Sequence, residues 1–314
     1  MVAVFLGEKD ILALLLQLLR QILGSNVEVV DAVVANRHDD YLVLLVTLRS
    51  PALAVVVKLA GPRAPYPYPF DRTAMFYRLV ATSTSIPMPD VLAVDVSYKT
   101  WPWRYLIKTY IPGRQWADVQ SQMDAREMQD AYRQIGQAVA ELHTIPFADF
   151  GEVDIDGCVQ SKGGYLAVLA ERARQRITHP HLADLFLRVV DDHTELFSDI
   201  SNPCLCHEDL HKFNILFQLV DGRWRLATIL DFDKAWAGHH ESDLARLELW
   251  KGMVGEGFWS AYKAYCPIAD AYIQRRLIYQ LFWCLEYAKP SPEHIADTQH
   301  ICQLLGIPPL THFE

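Results

Sequence analysis

Up to Pro112-Gly113 the apolar residues of this chain fall in short β-branched and aliphatic runs. Beyond that point they recur every three to four positions, so a strand-rich segment is followed by a helical one. In the first segment, Val27 to Val34 and Tyr41 to Leu48 read as strands, and Asn36, Arg37, His38, Asp39 and Asp40 supply the turn of a hairpin. Leu53 to Leu59 is a third strand, apolar apart from Lys58. Gly61 to Pro69, rich in Pro and Tyr, reads as a loop. Asp71 to Ala81 has helical spacing with Met75, Leu79 and Val80 on one side, and Val91 to Val96 and Tyr105 to Ile111 complete five strands. A helix over Ile11 to Leu23 precedes them.

In the second segment, Asp124 to His143 places Met128, Ala131, Tyr132, Ile135, Val139 and Leu142 close to a 3.6-residue period. Leu166 to Arg176 and Leu182 to Phe197 read similarly. One β-hairpin interrupts the helices: Ile215 to Val220, the turn Asp221-Gly222, then Arg223 to Leu230, Asp-Gly between two strand-like runs being a strong hairpin signal. From Asp243 to the end the pattern is helical again, with Trp250, Trp259 and Trp283 inside it. The expected fold class is α+β, with a strand-rich lobe at 1–110 and a larger, mainly helical lobe at 111–314.

Composition narrows the function. The net charge of −9 argues against a nucleic-acid partner, which requires a basic face to neutralise phosphates. The run Ile11 to Leu23 is shorter than the roughly 20 residues a membrane span needs, and Gln17, Arg20 and Gln21 interrupt it. Glu8, Lys9 and Asp10 replace the basic start of a signal peptide, so a cytoplasmic protein without a membrane partner is expected. The six cysteines fit that compartment as free thiols. Cys204, Cys206, His207 and His211 cluster, but zinc sites pair their cysteines two to four residues apart, and Cys-x-Cys on a strand sends both thiols to one buried face.

The chemistry concentrates in Cys206 to Phe217, C-H-E-D-L-H-K-F-N-I-L-F, and in Ile229 to Asp233, I-L-D-F-D. Phosphoryl transfer needs a carboxylate near the attacking hydroxyl, oxygen ligands for magnesium and a cation on the phosphates, because catalysis is positioning and charge stabilisation. Asp209 and Asn214 stand five residues apart on a presumed loop, so one can face the substrate and the other the metal. A hairpin of this length returns Asp231 towards Asn214.

These residues resemble the H-x-D-x-x-x-x-N loop and following Asp of the protein-kinase-like superfamily, and most closely its aminoglycoside phosphotransferase and choline kinase branch. The resemblance implies a bilobal protein-kinase-like fold that binds ATP and Mg²⁺ and phosphorylates a hydroxyl of a small molecule: a cationic antibiotic, an amino alcohol or a sugar. It implies that Asp209 is the catalytic base, that Asn214 and Asp231 hold Mg²⁺, and that His211 or Lys212 contacts phosphate. It implies further that His207 braces the loop and that Asp243 ties it down. Lys58, in V-V-V-K, matches the strand lysine on the nucleotide phosphates. Val56 would roof the adenine, Leu216 and Leu230 would floor it, and the backbones of Thr109 and Ile111 would bond its edge.

Two positions depart from the family pattern. Thr73 stands where a helix normally supplies a Glu to pair the strand lysine, which leaves Asp71 as the expected partner of Lys58. Glu208 replaces a Gly within the loop. A catalytically impaired, pseudokinase-like nucleotide-binding module is therefore the alternative reading. A protein kinase is disfavoured, since no A-P-E-like segment follows Asp233. For the acceptor, the helix from Arg275 to Ala288 is expected to present Glu286 beside Trp283 and Tyr287, with Glu208 and Glu241 adding negative potential, and so to favour a positively charged substrate.

Overall fold

Two compact units make up the computed structural model: Met1–Gly113 with Ala227–Asp233, and Arg114–Leu226 with Lys234–Glu314. The structure describes residues 8–64, 66, 68–159, 163–310 and 313. Pro65 and Pro67 of the expected Gly61 to Pro69 loop lie outside the described residues, as do three residues of the C-terminal five.

In the first unit, α1 (Glu8–Leu23) precedes β1 (Glu28–His38), β2 (Tyr41–Ser50) and β3 (Leu53–Ala60), then α2 (Phe70–Ser83), β4 (Val91–Asp95) and β5 (Arg104–Thr109). The five strands form one antiparallel sheet in the order β1-β2-β3-β5-β4. The first hairpin turns more tightly than the sequence suggests. Asn36, Arg37 and His38 pair with Val43, Leu42 and Tyr41, leaving Asp39-Asp40 as the turn, with Asp39 at φ 43. β1 can extend through these polar residues because it is an edge strand with mostly exposed side chains.

Period-two alternation then decides what each face carries. Val55, Val57 and Leu59 of β3, with Tyr105 and Ile107 of β5, pack into a core with Leu15, Leu18 and Leu19 of α1. The intervening residues Val56 and Lys58 therefore point to the other face, opposite Lys108 and Leu106 respectively. α2 buries Phe70, Thr73, Ala74, Phe76, Tyr77 and Val80. Met75 and Leu79, expected to share one side of the helix with Val80, are only partly buried. The inner face is shifted because Thr73 and Tyr77 are buried by hydrogen-bonding partners, a cause that hydropathy does not register.

In the second unit come β6 (Arg114–Gln115), α3 (Trp116–Val119), α4 (Ala125–His143), α5 (Tyr165–Arg176) and α6 (Pro180–Asp192), then β7 (Cys204–Cys206), β8 (Ile215–Val220), β9 (Arg223–Ile229, whose residues from Ala227 belong to the first unit) and β10 (Trp236–Gly238). α7 (Glu241–Leu249), α8 (Glu256–Lys263), α9 (Tyr272–Leu285) and α10 (Pro292–Leu304) follow. Asp124 caps α4 in a reciprocal capping box with Glu127. The β8–β9 hairpin turns at Asp221 (φ 50) and Gly222 (φ 72), both left-handed, as a two-residue primed turn requires. The expected helix through Phe197 stops at Asp192 and resumes as a 3₁₀ turn, Thr194–Phe197. Trp250 lies past α7, and α9 ends at Leu285, so Glu286 and Tyr287 follow the helix rather than sit within it. Phe186, Tyr279, Phe282, Trp283 and Trp236 centre the core of this unit.

Candidate active site

The loop between β7 and β8 is fixed from beneath by one buried carboxylate. Asp243 accepts the backbone N–H of His207 and of Glu208, both at 2.7 Å, and its Oδ2 lies 3.1 Å from His143 Nε2. Burial alone would raise the pKa of Asp243, but His143 and the His207 amide hold it below the usual carboxylate value. His143 is held in turn by the Tyr262 hydroxyl at 2.7 Å. His207, fully buried, accepts the Asp209 N–H on Nδ1 at 3.1 Å. Cys206 lies beside this network, its thiol within 4.8 Å of ligand atoms of His143 and Asp243.

Glu208 adopts φ 64, a left-handed backbone conformation that favours glycine. Its carboxylate is fully buried, paired with Arg172 at 3.4 Å and accepting from Ser242 at 2.8 Å. Glu241 is bound through both oxygens to Arg275 at 2.6 and 2.8 Å. Neither acid adds open negative potential beside Asp209, contrary to the sequence expectation, because each is neutralised by a buried arginine.

Asp209 is held by cations. Its Oδ1 lies 2.7 Å from Arg246 Nη2 and 3.3 Å from Lys234 Nζ, and its Oδ2 lies 3.8 Å from His211 Nε2. Asn214 donates through Nδ2 to the Asp209 carbonyl at 3.0 Å, which leaves its Oδ1 as a hard donor suited to magnesium. His211 accepts the Phe213 N–H on Nδ1 at 3.2 Å, so the ring presents Nε2 to Asp209. A cavity of about 140 Å³ opens here, lined by Asp209, His211, Lys212, Lys234, Arg246 and Tyr287 among others. Lys234 and Arg246 were not singled out from sequence. The only signal for them was the position of Lys234 directly after D-F-D and of Arg246 one helical turn after Asp243.

Glu286 does not form the expected wall for a cation. It pairs with Arg176, with Lys234 at 3.5 Å and with Arg246 at 3.7 Å. Trp283 is 1% exposed beneath the Arg246 guanidinium, 4.4 Å from its ring centre, and Tyr287 stacks on His294 at 3.9 Å. The helix ends before Glu286, and three basic groups consume its charge.

In the first unit, Lys58 Nζ lies 2.9 Å from Asp231 Oδ1 and 3.8 Å from Asp233 Oδ2. Burial would lower the pKa of Lys58, but the two aspartates outweigh it and hold the amine well above its ordinary value, so it is a cation. Among the described residues these are the carboxylates within salt-bridge reach of Lys58. The expected partner, Asp71, instead accepts the Arg72 N–H at 2.9 Å. Asp231 has φ 71, and its N–H donates to the Tyr77 hydroxyl at 3.2 Å. Its side chain is 38% exposed, a carboxylate of the kind that suits a hard cation. Val56 and Leu230 are half-buried and Leu216 is buried. Thr109 ends β5 with its N–H donated to the Asp90 carbonyl at 2.9 Å, and Ile111 follows it.

The family model described as the phosphotransferase enzyme family (APH) matches residues 34–272. The chain belongs to that family of small-molecule phosphotransferases. A putative fructosamine-3-kinase from Haemophilus somnus 129PT has the same fold at 18% identity, with a TM-score of 0.67 over 93% of this chain and 96% of that one. So does a thermostable mutant of an aminoglycoside phosphotransferase solved with AMP-PNP and hygromycin B, at 16% identity and a TM-score of 0.63 over 92% and 96%. An ethanolamine kinase of Plasmodium vivax matches at 12% identity and a TM-score of 0.58 over 97% and 90%. The fold is thus the kinase-like one that the motifs implied. Among the described residues no helix is long and apolar enough to cross a membrane.

Proposed function

We propose that the chain transfers the γ-phosphoryl group of ATP to a hydroxyl of a small molecule. The observation that carries this reading is Asp209, fixed on a loop clamped by Asp243 and facing a small cavity. Asp209 orients the acceptor hydroxyl and takes its proton as oxygen bonds to phosphorus and the bond to the ADP oxygen breaks. Lys58 binds the nucleotide phosphates. Asp231 and the Oδ1 of Asn214 hold Mg²⁺, which when bound screens the phosphate charge. His211 and Lys212, lining the same cavity as Asp209, are the groups assigned to the transferred phosphoryl. Val56, Leu216 and Leu230 are assigned to the adenine faces. With its N–H committed, Thr109 offers its carbonyl to the adenine edge, and Ile111 offers its amide.

Of the acceptors expected from sequence, a neutral sugar fits better than a cationic antibiotic or amino alcohol. Lys212 lines the cavity at Asp209, and Glu286, expected to face an ammonium group, is taken up by Arg176, Lys234 and Arg246, while Trp250 and Tyr287 give flat faces for a sugar ring. A phosphorylation assay with labelled ATP over sugars, amino alcohols and aminoglycosides tests this; transfer to sugars is expected, and exclusive transfer to polycations would contradict it. One observation favours the non-catalytic alternative: Oδ1 of Asp209 is already engaged by Arg246 and Lys234. Mg·ATP binding with no transfer to any acceptor would support that alternative.

A further inference from the structure

Asp231 has two claimants. It is the nearest partner of Lys58, at 2.9 Å, and in the proposed reaction it also binds Mg²⁺. A metal ion on Asp231 takes up its negative charge and repels the ammonium group, so a metal-bound Asp231 holds Lys58 less firmly than it does at 2.9 Å here. Asp233 has no such conflict. Its Oδ1 accepts the Thr73 hydroxyl at 2.7 Å and its backbone carbonyl accepts from Arg72 at 3.1 Å, which fixes it to α2 at two points. That leaves Oδ2 turned to Lys58 at 3.8 Å. Phe232 between the two aspartates is fully buried, its ring centre 5.7 Å from that of Tyr77 on the same helix, so the D-F-D segment is seated rather than loose.

We propose that Asp233, anchored to α2 through Thr73, is the positioning residue that holds Lys58 against the nucleotide phosphates while Asp231 serves the metal. The proposal rests on the assignment of Lys58 and Asp231 to Mg·ATP. It accounts for Thr73: α2 carries no acid of its own to Lys58 because it holds in place an acid supplied by the D-F-D segment.

The test is calorimetric titration of the whole chain with Mg·ATP, and with ATP in the presence of a chelator. Asp233→Asn keeps the shape and an acceptor oxygen for Thr73 and removes only the charge. It should weaken Mg·ATP binding about tenfold, the loss of one charged contact. Without Mg²⁺, Asp231 stays on Lys58, so the same variant should lose distinctly less affinity. Adding Thr73→Glu to Asp233→Asn returns an acid from α2 and should restore most of the Mg·ATP affinity, a repair that a merely loosened fold would not show. Unchanged Mg·ATP affinity in Asp233→Asn, an equal loss with and without Mg²⁺, or no repair in the double variant overturns the proposal. If the unmodified chain binds no Mg·ATP at all, the proposed function falls and takes this inference with it. A failure confined to the variants leaves that function standing.

Discussion

Arg246 places Nη2 2.7 Å from Oδ1 of Asp209, and Lys234 shares the same oxygen. Burial, helped by Arg246 and Arg176, pushes the Lys234 amine down to about 8 against the pull of Asp209. Above that pH the amine loses its charge, and one of the two cations steadying Asp209 is gone. Turnover should therefore bend downward above about pH 8. In Lys234→Arg, whose guanidinium stays charged, that alkaline break should vanish. A pH–rate profile of both proteins on one acceptor checks this, and a break retained in Lys234→Arg would assign it to another group.

Glu286 ties Arg176, Lys234 and Arg246 together where only 13% of its side chain is exposed. Glu286→Gln strips the countercharge from three crowded cations. It should lower stability by roughly 3 kcal/mol, the scale for breaking a buried ion pair. Chemical denaturation measures this; a change below about 1 kcal/mol would mean that solvent already screens the cluster.

Lys108 is buried on β5 with its amine 2.7 Å from the Tyr77 hydroxyl. Burial is the main cause that pushes its pKa down to about 7, with Lys58 adding to it. A lowered lysine pKa means that the unfolded chain binds the extra proton between about pH 7 and the ordinary lysine value, so stability rises with pH across that window. Relative to the wild type, Lys108→Met should gain most at and below pH 7. The gap should then narrow by about 1.4 kcal/mol per pH unit above it. Denaturation midpoints of both proteins at pH 6, 8 and 10 test the sign, and a gap that widens with pH would refute it.

Gly136 of α4 meets the backbone of α8: a Cβ there would collide with the Phe258 carbonyl. Backbone cannot swing aside as a side chain can, so Gly136→Ala should cost about 1–3 kcal/mol despite its better helix propensity. Thermal unfolding checks this, and a neutral or stabilising result would show that the two helices can separate at little cost.

The strands and the helix α4 were readable because one face of each packs on an apolar core, and hydropathy reports that burial directly. α2 was readable as a helix but not in its orientation, since Thr73 and Tyr77 face polar groups of the D-F-D segment more than 150 positions away. The loop that carries Asp209 and Asn214 was legible through their fixed spacing. What surrounds it was not. Arg246 and Lys234 reach Asp209 only after folding, and no local pattern announces that Arg176, 110 positions earlier, pairs with Glu286. Charge neutralisation between distant residues is a tertiary event, and at Glu286 it removes the negative wall expected from the sequence.

The most direct measurement compares phosphate transfer from labelled ATP to an acceptor by the wild type and by Asp209→Asn, with Mg·ATP affinity measured alongside. Asp209 meets the hydroxyl and not the nucleotide, so the variant should keep its ATP affinity within about threefold while turnover falls by about 10²–10⁴. Near-normal turnover in Asp209→Asn would contradict the account, because a chain that transfers phosphate without this carboxylate does its chemistry elsewhere.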